Sequence, residues 1–194
     1  MSDQDRDRWD ARYRAGEYEG RPWHAPFLET WLPTPTPDGK ALDIACGLGR
    51  NARFLASNGY RVVGSDISSI ALDKAKVLAD EQGLDVAWHA LDLDREPLPA
   101  GPFDVIVVCR FLDRRLIPQI KELLAPTGRV IYEQHVVTTQ PAGGPKSPRF
   151  RLQSNELLRL FSDLHIVHYN EGRVTDPDGS EMALAQLVAD NHRT

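Results

Sequence analysis

Ala41-Leu42-Asp43-Ile44-Ala45-Cys46-Gly47-Leu48-Gly49-Arg50-Asn51 is the stretch from which the fold of this 194-residue chain is read. Leu42 and Ile44, followed by the small Ala45 and Cys46, suit a strand covered on both faces. Gly47 and Gly49 open the following turn to backbone angles that a side chain forbids, and they let a ligand approach the main chain. Residues 51–57 then place Ala52, Leu55 and Ala56 at helical spacing, with Asn58-Gly59 as a stop signal. A strand, a glycine turn and a helix N-terminus together form a nucleotide or anion site.

Downstream the pattern repeats. Residues 60–66 read as a second strand around Val62 and Val63, ending in Asp66. Ser68 or Ser69 is placed to cap a helix whose buried stripe is Ala71, Ala75, Leu78 and Ala79, before Gly83. Residues 85–91 form a third strand running into Asp92-Leu93-Asp94. Residues 103–109 form a fourth, whose Val-Ile-Val-Val run is typical of a central parallel strand. Leu116, Ile120, Leu123 and Leu124 mark a helix with Pro118 in its first turn, and residues 129–137 a fifth strand. Strand and helix alternate throughout, which predicts a parallel sheet with helices on both faces. A Gly/Pro-rich loop over 138–148 precedes a short helix at 155–161, with Ser154 as its expected cap. Two last strands, about 164–174 and 181–189, flank Asp176-Pro177-Asp178-Gly179, a turn short enough for an antiparallel hairpin.

Upstream, residues 3–14 are charged but carry Trp9 and Tyr13 on one helical face. A turn-rich segment holds Tyr18 and Trp23, and Phe27, Leu28, Trp31 and Leu32 form a second amphipathic helix that Pro33 stops. The Pro-rich residues 33–39 are a stiff connector. Residues 1–38 are thus a helical extension, and residues 40–190 the core of a single domain. Tyr13, Tyr18 and Trp23 are candidates for a lid over a ligand, with helix packing as the competing reading.

With 41% hydrophobic and 26% charged residues, the composition is that of a globular protein. A net charge of -5 disfavours a nucleic-acid backbone as partner. Cys46 and Cys109 lie in apolar runs without metal-ligand spacing, so neither a metal nor a disulfide framework is expected. No apolar run approaches the roughly 18 residues of a membrane span, and the N-terminus is unlike a signal peptide. The expected location is cytoplasmic.

Gly47-x-Gly49-x-x-Ala52 with Asp66 about twenty residues on formally satisfies a dinucleotide fingerprint. Yet Asp43 lies four residues before Gly47, where a dinucleotide-binding strand is apolar, Asp92 ends the third strand, and an antiparallel hairpin closes the fold. Acids near the ends of three successive strands suit a ligand bearing an ammonium, a ribose and an adenine amine. From residue 40 to 189 the chain resembles the class I S-adenosylmethionine-dependent methyltransferases, and within them the small tellurite-resistance-type branch. That branch's loop pattern Leu-Asp-x-Ala-Cys-Gly-x-Gly-Arg-Asn is reproduced by residues 42–51. The resemblance implies an α/β three-layer αβα sandwich: a Rossmann-like, mostly parallel seven-stranded sheet of order 3-2-1-4-5-7-6 with the C-terminal antiparallel hairpin. The single domain would then be a methyltransferase domain.

The same resemblance implies the site. Asp43 would lie under the methionine moiety, and Ala45, Cys46, Gly47 and Gly49 would offer backbone to its carboxylate and to the ribose. Asp66 would accept the ribose hydroxyls, Ile67 would pack on the adenine, and Asp92 with the Leu93 amide would read its amine edge. Cys109 and Arg110 would face the reacting sulfonium. Ala45 stands where the family carries its first loop glycine. Each acid has a structural alternative: Asp43 rigidifying the loop through its amides, Asp92 merely capping a helix. Asp104, at the opposite end of its strand, reads as structural.

The implied reaction is in-line methyl transfer from S-adenosylmethionine, with S-adenosylhomocysteine as product, driven by positioning and exclusion of water. Arg110 and His135 are the candidate catalytic residues, His135 as a base if the nucleophile must lose a proton. Glu133 lies beside them, with Arg114, Arg149 and Arg151 further out. A chain with little beyond the core points to a small-molecule acceptor. An NAD(P)-dependent oxidoreductase and a non-catalytic S-adenosylmethionine-binding protein are the two competing readings.

Overall fold

The computed structural model describes residues 3–192. Seven strands form one mixed sheet: β1 (Lys40–Ile44), β2 (Arg61–Asp66), β3 (Val86–Ala90), β4 (Phe103–Cys109), β5 (Leu124–His135), β6 (His165–Thr175) and β7 (Glu181–Asp190). Their order is β3-β2-β1-β4-β5-β7-β6. The first five run parallel, and β7 pairs antiparallel with both β5 and β6. Six helices accompany them among the described residues: α1 (Asp3–Arg14), α2 (Phe27–Trp31), α3 (Arg50–Ser57), α4 (Ser69–Asp80), α5 (Ile117–Leu123) and α6 (Glu156–Leu160).

The two sheet faces follow from the period of two in a strand. Ala41, Val105, Val107, Ile131 and Val188 point to one side, where they pack with Phe27 and Leu28 of α2 and Ala52 and Leu55 of α3. Leu42, Ile44, Ile106, Val108, Val130 and Tyr132 point to the other, against Ile117 and Ile120 of α5 and Leu157 of α6. Every one of these strand residues is buried, as a central parallel sheet requires. The alternation assigns Asp43, Cys109, Glu133 and His135 to the α3 side, at the carboxyl ends of their strands.

Three features depart from the expected pattern. Residues 91–102 contain no helix, so β3 connects to β4 by turns alone; the Asp-Pro-rich composition there competes with a helix. Strand β5 starts at Leu124, well before Arg129, because Leu124 pairs with Phe103 ahead of a register shift. The cap of α6 is Asn155, in the left-handed region at φ 55°, and Ser154 instead donates its hydroxyl to Glu171 at 2.9 Å. Asp104 is structural as read, accepting from the Lys40 N–H at 2.8 Å.

At the start of α3, Gly49 adopts φ +67°, and a Cβ built there would lie 2.4 Å from Cη2 of Trp88. Left-handed strain and overlap with a large ring act together. Gly49→Ala should therefore cost about 2–3 kcal/mol in urea denaturation. A loss below about 0.5 kcal/mol would contradict this packing.

Candidate active site

The carboxyl ends of β1, β2, β4 and β5 converge on the glycine loop. Asp66, at the end of β2, is 9% exposed. Its carboxylate accepts the Gly47 N–H at 2.9 Å through Oδ2 and the Ser68 N–H at 2.9 Å through Oδ1. Burial raises its pKa against the lowering effect of these amides and that of Ile67. An ionised carboxylate offers about four lone-pair positions, so acceptor capacity remains beyond those two bonds. Ile67 beside it is buried.

Asp43 is fully buried and accepts the Ala52 N–H at 3.0 Å, which ties β1 to the first turn of α3. That is the loop-bracing role weighed from sequence. Burial pushes the Asp43 carboxyl up to about 7, opposed by the Ala52 amide and by the Arg50 guanidinium. In the protein alone, this carboxyl holds a proton that the unfolded chain releases near its ordinary value of 3.8. Its contribution to stability is accordingly full below that value and lost as pH rises through about 7. A cation placed against Asp43 reverses that preference by favouring the ionised form.

Asp92 is buried, but its carboxylate turns into its own loop: Oδ1 accepts the Asp94 N–H at 3.1 Å, and Arg95 approaches Oδ2 at 3.6 Å. Leu93 belongs to the core on the α5 side. Cys46 and Cys109 are free thiols on the neighbouring β1 and β4 ends, and burial raises both well above the ordinary thiol range. They are therefore protonated and poor nucleophiles.

Arg110 follows β4 with φ 59°, and two acids hold its side chain. Its Nε donates to Glu133 Oε1 at 2.7 Å, and Nη2 donates to Asp176 Oδ1 at 2.9 Å. Glu133 Oε2 also accepts from Gln186 Nε2 at 2.7 Å. The residue pins the tip of the β6–β7 hairpin to the end of β4. His135, two residues beyond Glu133, is 5% exposed, and its Nδ1 has no hydrogen-bond partner. Burial, followed by the charges of Arg110, Arg151 and Arg21, lowers its pKa to about 3. It is a neutral imidazole whose Nδ1 is buried without a partner. Gly144 of the loop over β5 lies against this ring: a Cβ there would come within 2.4 Å of Nδ1.

The N-terminal extension covers the glycine loop. Tyr13 of α1 stacks on Trp9 with ring centroids 6.0 Å apart and meets Tyr18 at 5.6 Å. Its hydroxyl occupies the space that a Cβ at Gly47 would need, 2.6 Å away. Asp10 accepts a 2.6 Å hydrogen bond from the Ser68 hydroxyl, the same oxygen that caps α4 by accepting the Ala71 N–H. Lys74 of α4 donates to the Tyr13 carbonyl at 2.6 Å. Trp23 is half-buried and stands outside that aromatic cluster.

Sequence reasoning missed Arg50, Asp10, Asp176 and Gly144. Arg50 stood inside the quoted motif, and its charge was the signal: a cation one residue after the glycine turn. The residues that converge set two buried carboxylates, Asp43 and Asp66, about the Gly47 turn, a donor set whose chemistry fits a cation and a vicinal diol. A cavity of about 470 Å³ between α4 and β3, lined partly by Leu72, Lys76 and Trp88, holds none of these acids.

Residues 41–131 match the family described as "Methyltransferase domain". The chain is 27% identical over 162 residues to the protein named "Probable S-adenosyl-L-methionine-dependent methyltransferase TehB" of Haemophilus influenzae, covering 77% of this chain and 56% of that protein. It thus spans little more than half the length of that curated relative. The crystal structure of TehB from Haemophilus influenzae superposes with a TM-score of 0.74 at 24% identity, over 93% of this chain and 66% of that one. A structure titled as the [4+2]-cyclase SpnF matches at TM-score 0.73 and 18% identity, over 100% of this chain and 97% of that one. One fold therefore serves proteins named for different chemistries.

Proposed function

We propose that this chain, a member of the class I S-adenosylmethionine-dependent methyltransferases, transfers a methyl group from S-adenosylmethionine to a small-molecule acceptor. The observation that carries the reading is the paired buried carboxylates, Asp43 and Asp66, on either side of the Gly47 turn. The cofactor supplies, when bound, an electrophilic methyl on a sulfonium whose departure as a neutral thioether needs no acid. Asp43 and the loop backbone of Ala45, Cys46, Gly47 and Gly49 would hold its methionine end. Asp66 would hold the ribose, and Ile67, Asp92 and Leu93 the adenine. Cys109 would border the sulfonium.

The chain's own groups then do two things. Arg110, bound to Glu133 and Asp176, fixes the hairpin tip that closes the acceptor side and acts by positioning. His135 accepts a hydrogen bond from the acceptor's nucleophilic group through Nδ1, once the loop carrying Gly144 gives way. With a pKa near 3 it is a weak base, so it orients the nucleophile more than it deprotonates it. Tyr13 and the rest of α1 exclude water above the glycine loop. Among the described residues no helix is long and apolar enough to cross a membrane.

Isothermal titration calorimetry with S-adenosylmethionine, S-adenosylhomocysteine and NAD tests the cofactor. The first two should bind and NAD should not. Asp66→Ala and Asp66→Asn should weaken S-adenosylhomocysteine roughly 100-fold while circular dichroism shows a folded protein. Affinity within twofold of the wild type would overturn the ribose role. Tight S-adenosylhomocysteine binding with no product across an acceptor screen would identify a cofactor-binding protein without turnover.

Asp43 adds a pH dependence. Raising pH from 6 to 8 ionises a carboxyl with a pKa of about 7, so S-adenosylmethionine affinity should rise about tenfold over that interval. Asp43→Asn should flatten the profile. A flat profile in the wild type would remove Asp43 from the cation's surroundings.

A further inference from the structure

Helix α3 carries a second group of charges that the methyl-transfer reading leaves unused. Arg53 lies one turn beyond Arg50 and is only 9% exposed. Its Nε has no hydrogen-bond partner, and among the described residues its guanidinium meets no carboxylate. Arg50 donates to the Arg21 carbonyl at 3.1 Å and likewise forms no ion pair among the described residues. An arginine does not shed its proton to escape such a site, so the buried charge calls for an anion. Burial and mutual repulsion oppose the charged form of Arg53, and burial does the same at Arg50.

Arg50 and Arg53 both line one cavity of about 190 Å³, together with His24, Ser57 and Gln82. No acid lines it. The neighbouring polar groups are already committed. His24 Nε2 meets Glu29 Oε1 at 2.9 Å while its ring stacks on Phe54 at 3.8 Å, and the Ser57 hydroxyl donates to the Phe54 carbonyl at 2.9 Å. The far wall is the segment joining α1 to α2. It is fastened to α3 by the Arg50 bond to Arg21 and by Asn51 Oδ1, which accepts the Ala25 N–H at 2.9 Å.

We propose that this cavity binds a tetrahedral oxyanion, as free phosphate or as the phosphate of a small phosphomonoester, held between Arg50 and Arg53. The planar guanidinium forks match phosphate oxygens in geometry and charge. Occupancy neutralises two like charges one helical turn apart and fixes the 21–25 segment against α3. Arg50 also starts the helix behind the glycine loop, and its charge acts on Asp43, so the anion lies next to the cofactor crevice. The proposal stands whether or not the chain turns over a methyl acceptor.

Calorimetry on the full chain at constant ionic strength tests it with two probes, inorganic phosphate and phenyl phosphate, and with chloride as control. The wild type should bind with one saturable site. Arg53→Lys should weaken binding roughly tenfold through loss of the fork, and Arg53→Met should lose it. Arg53→Met, which keeps the apolar stem, should leave S-adenosylhomocysteine affinity unchanged, and if it does not fold the lysine variant carries the comparison. The tighter probe distinguishes a free anion from a phosphorylated small molecule. Equal heats in wild type and both Arg53 variants, or a response matched by chloride (an adventitious ion only), would overturn the proposal. So would one-for-one displacement of phosphate by S-adenosylhomocysteine, which would place the anion in the cofactor crevice. A protein that binds phosphate through Arg53 but no S-adenosylhomocysteine would refute the methyltransferase reading and leave this one intact.

Discussion

The Asp66 carboxylate is the junction on which the site depends. One oxygen holds the Gly47 N–H and so sets the glycine turn after β1, and the other holds the Ser68 N–H at the start of α4. Ser68 in turn caps α4 and donates to Asp10, which anchors α1. Two crossover connections and the covering helix are thereby referred to one buried acid. A neutral isostere would keep the shape and lose the charge, yet the cost of burying that charge is already met in part by backbone dipoles.

Around that junction the electrostatics divide by sheet position. The β1 and β2 ends are acidic and buried, with Asp43 and Asp66 both raised by desolvation. The β4 and β5 ends bring Arg110, Glu133 and His135 together, and there the charges are paired while the imidazole stays neutral. A cationic donor and an acceptor whose nucleophile needs orienting would meet between two such regions. The helix beside them carries the surplus positive charge of Arg50 and Arg53. The two proposed ligands, a cationic cofactor and an oxyanion, follow this asymmetry.

Much of the fold was legible because local physics and topology agree. The Val105–Val108 run gave the central strand, and the Asp-Pro-Asp-Gly turn gave the hairpin that reverses the last two strands. Asp43, Gly47 and Asp66 stood out as acids and glycines at strand ends, and the structure brings them together. The residue-level roles were harder to see because they depend on distant partners. Nothing local says that Arg110 reaches Asp176 across 66 residues, or that Asp10 reaches Ser68 across 58. Asp92 was the least readable acid: an acid at a strand end serves a ligand or caps a helix, whereas here no helix follows and its carboxylate bonds into its own turn. The depressed pKa of His135 was equally hidden, since it arises from burial under the Gly144 loop and from three arginines distributed along the chain.

The most direct test is a crystal structure of the protein with S-adenosylhomocysteine. The account predicts the ribose hydroxyls on the Asp66 carboxylate, the amino-acid end over Gly47 and near Asp43, and Tyr13 of α1 covering the loop. A ligand seated elsewhere, or a ribose that leaves Asp66 bonded only to Gly47 and Ser68, would contradict it.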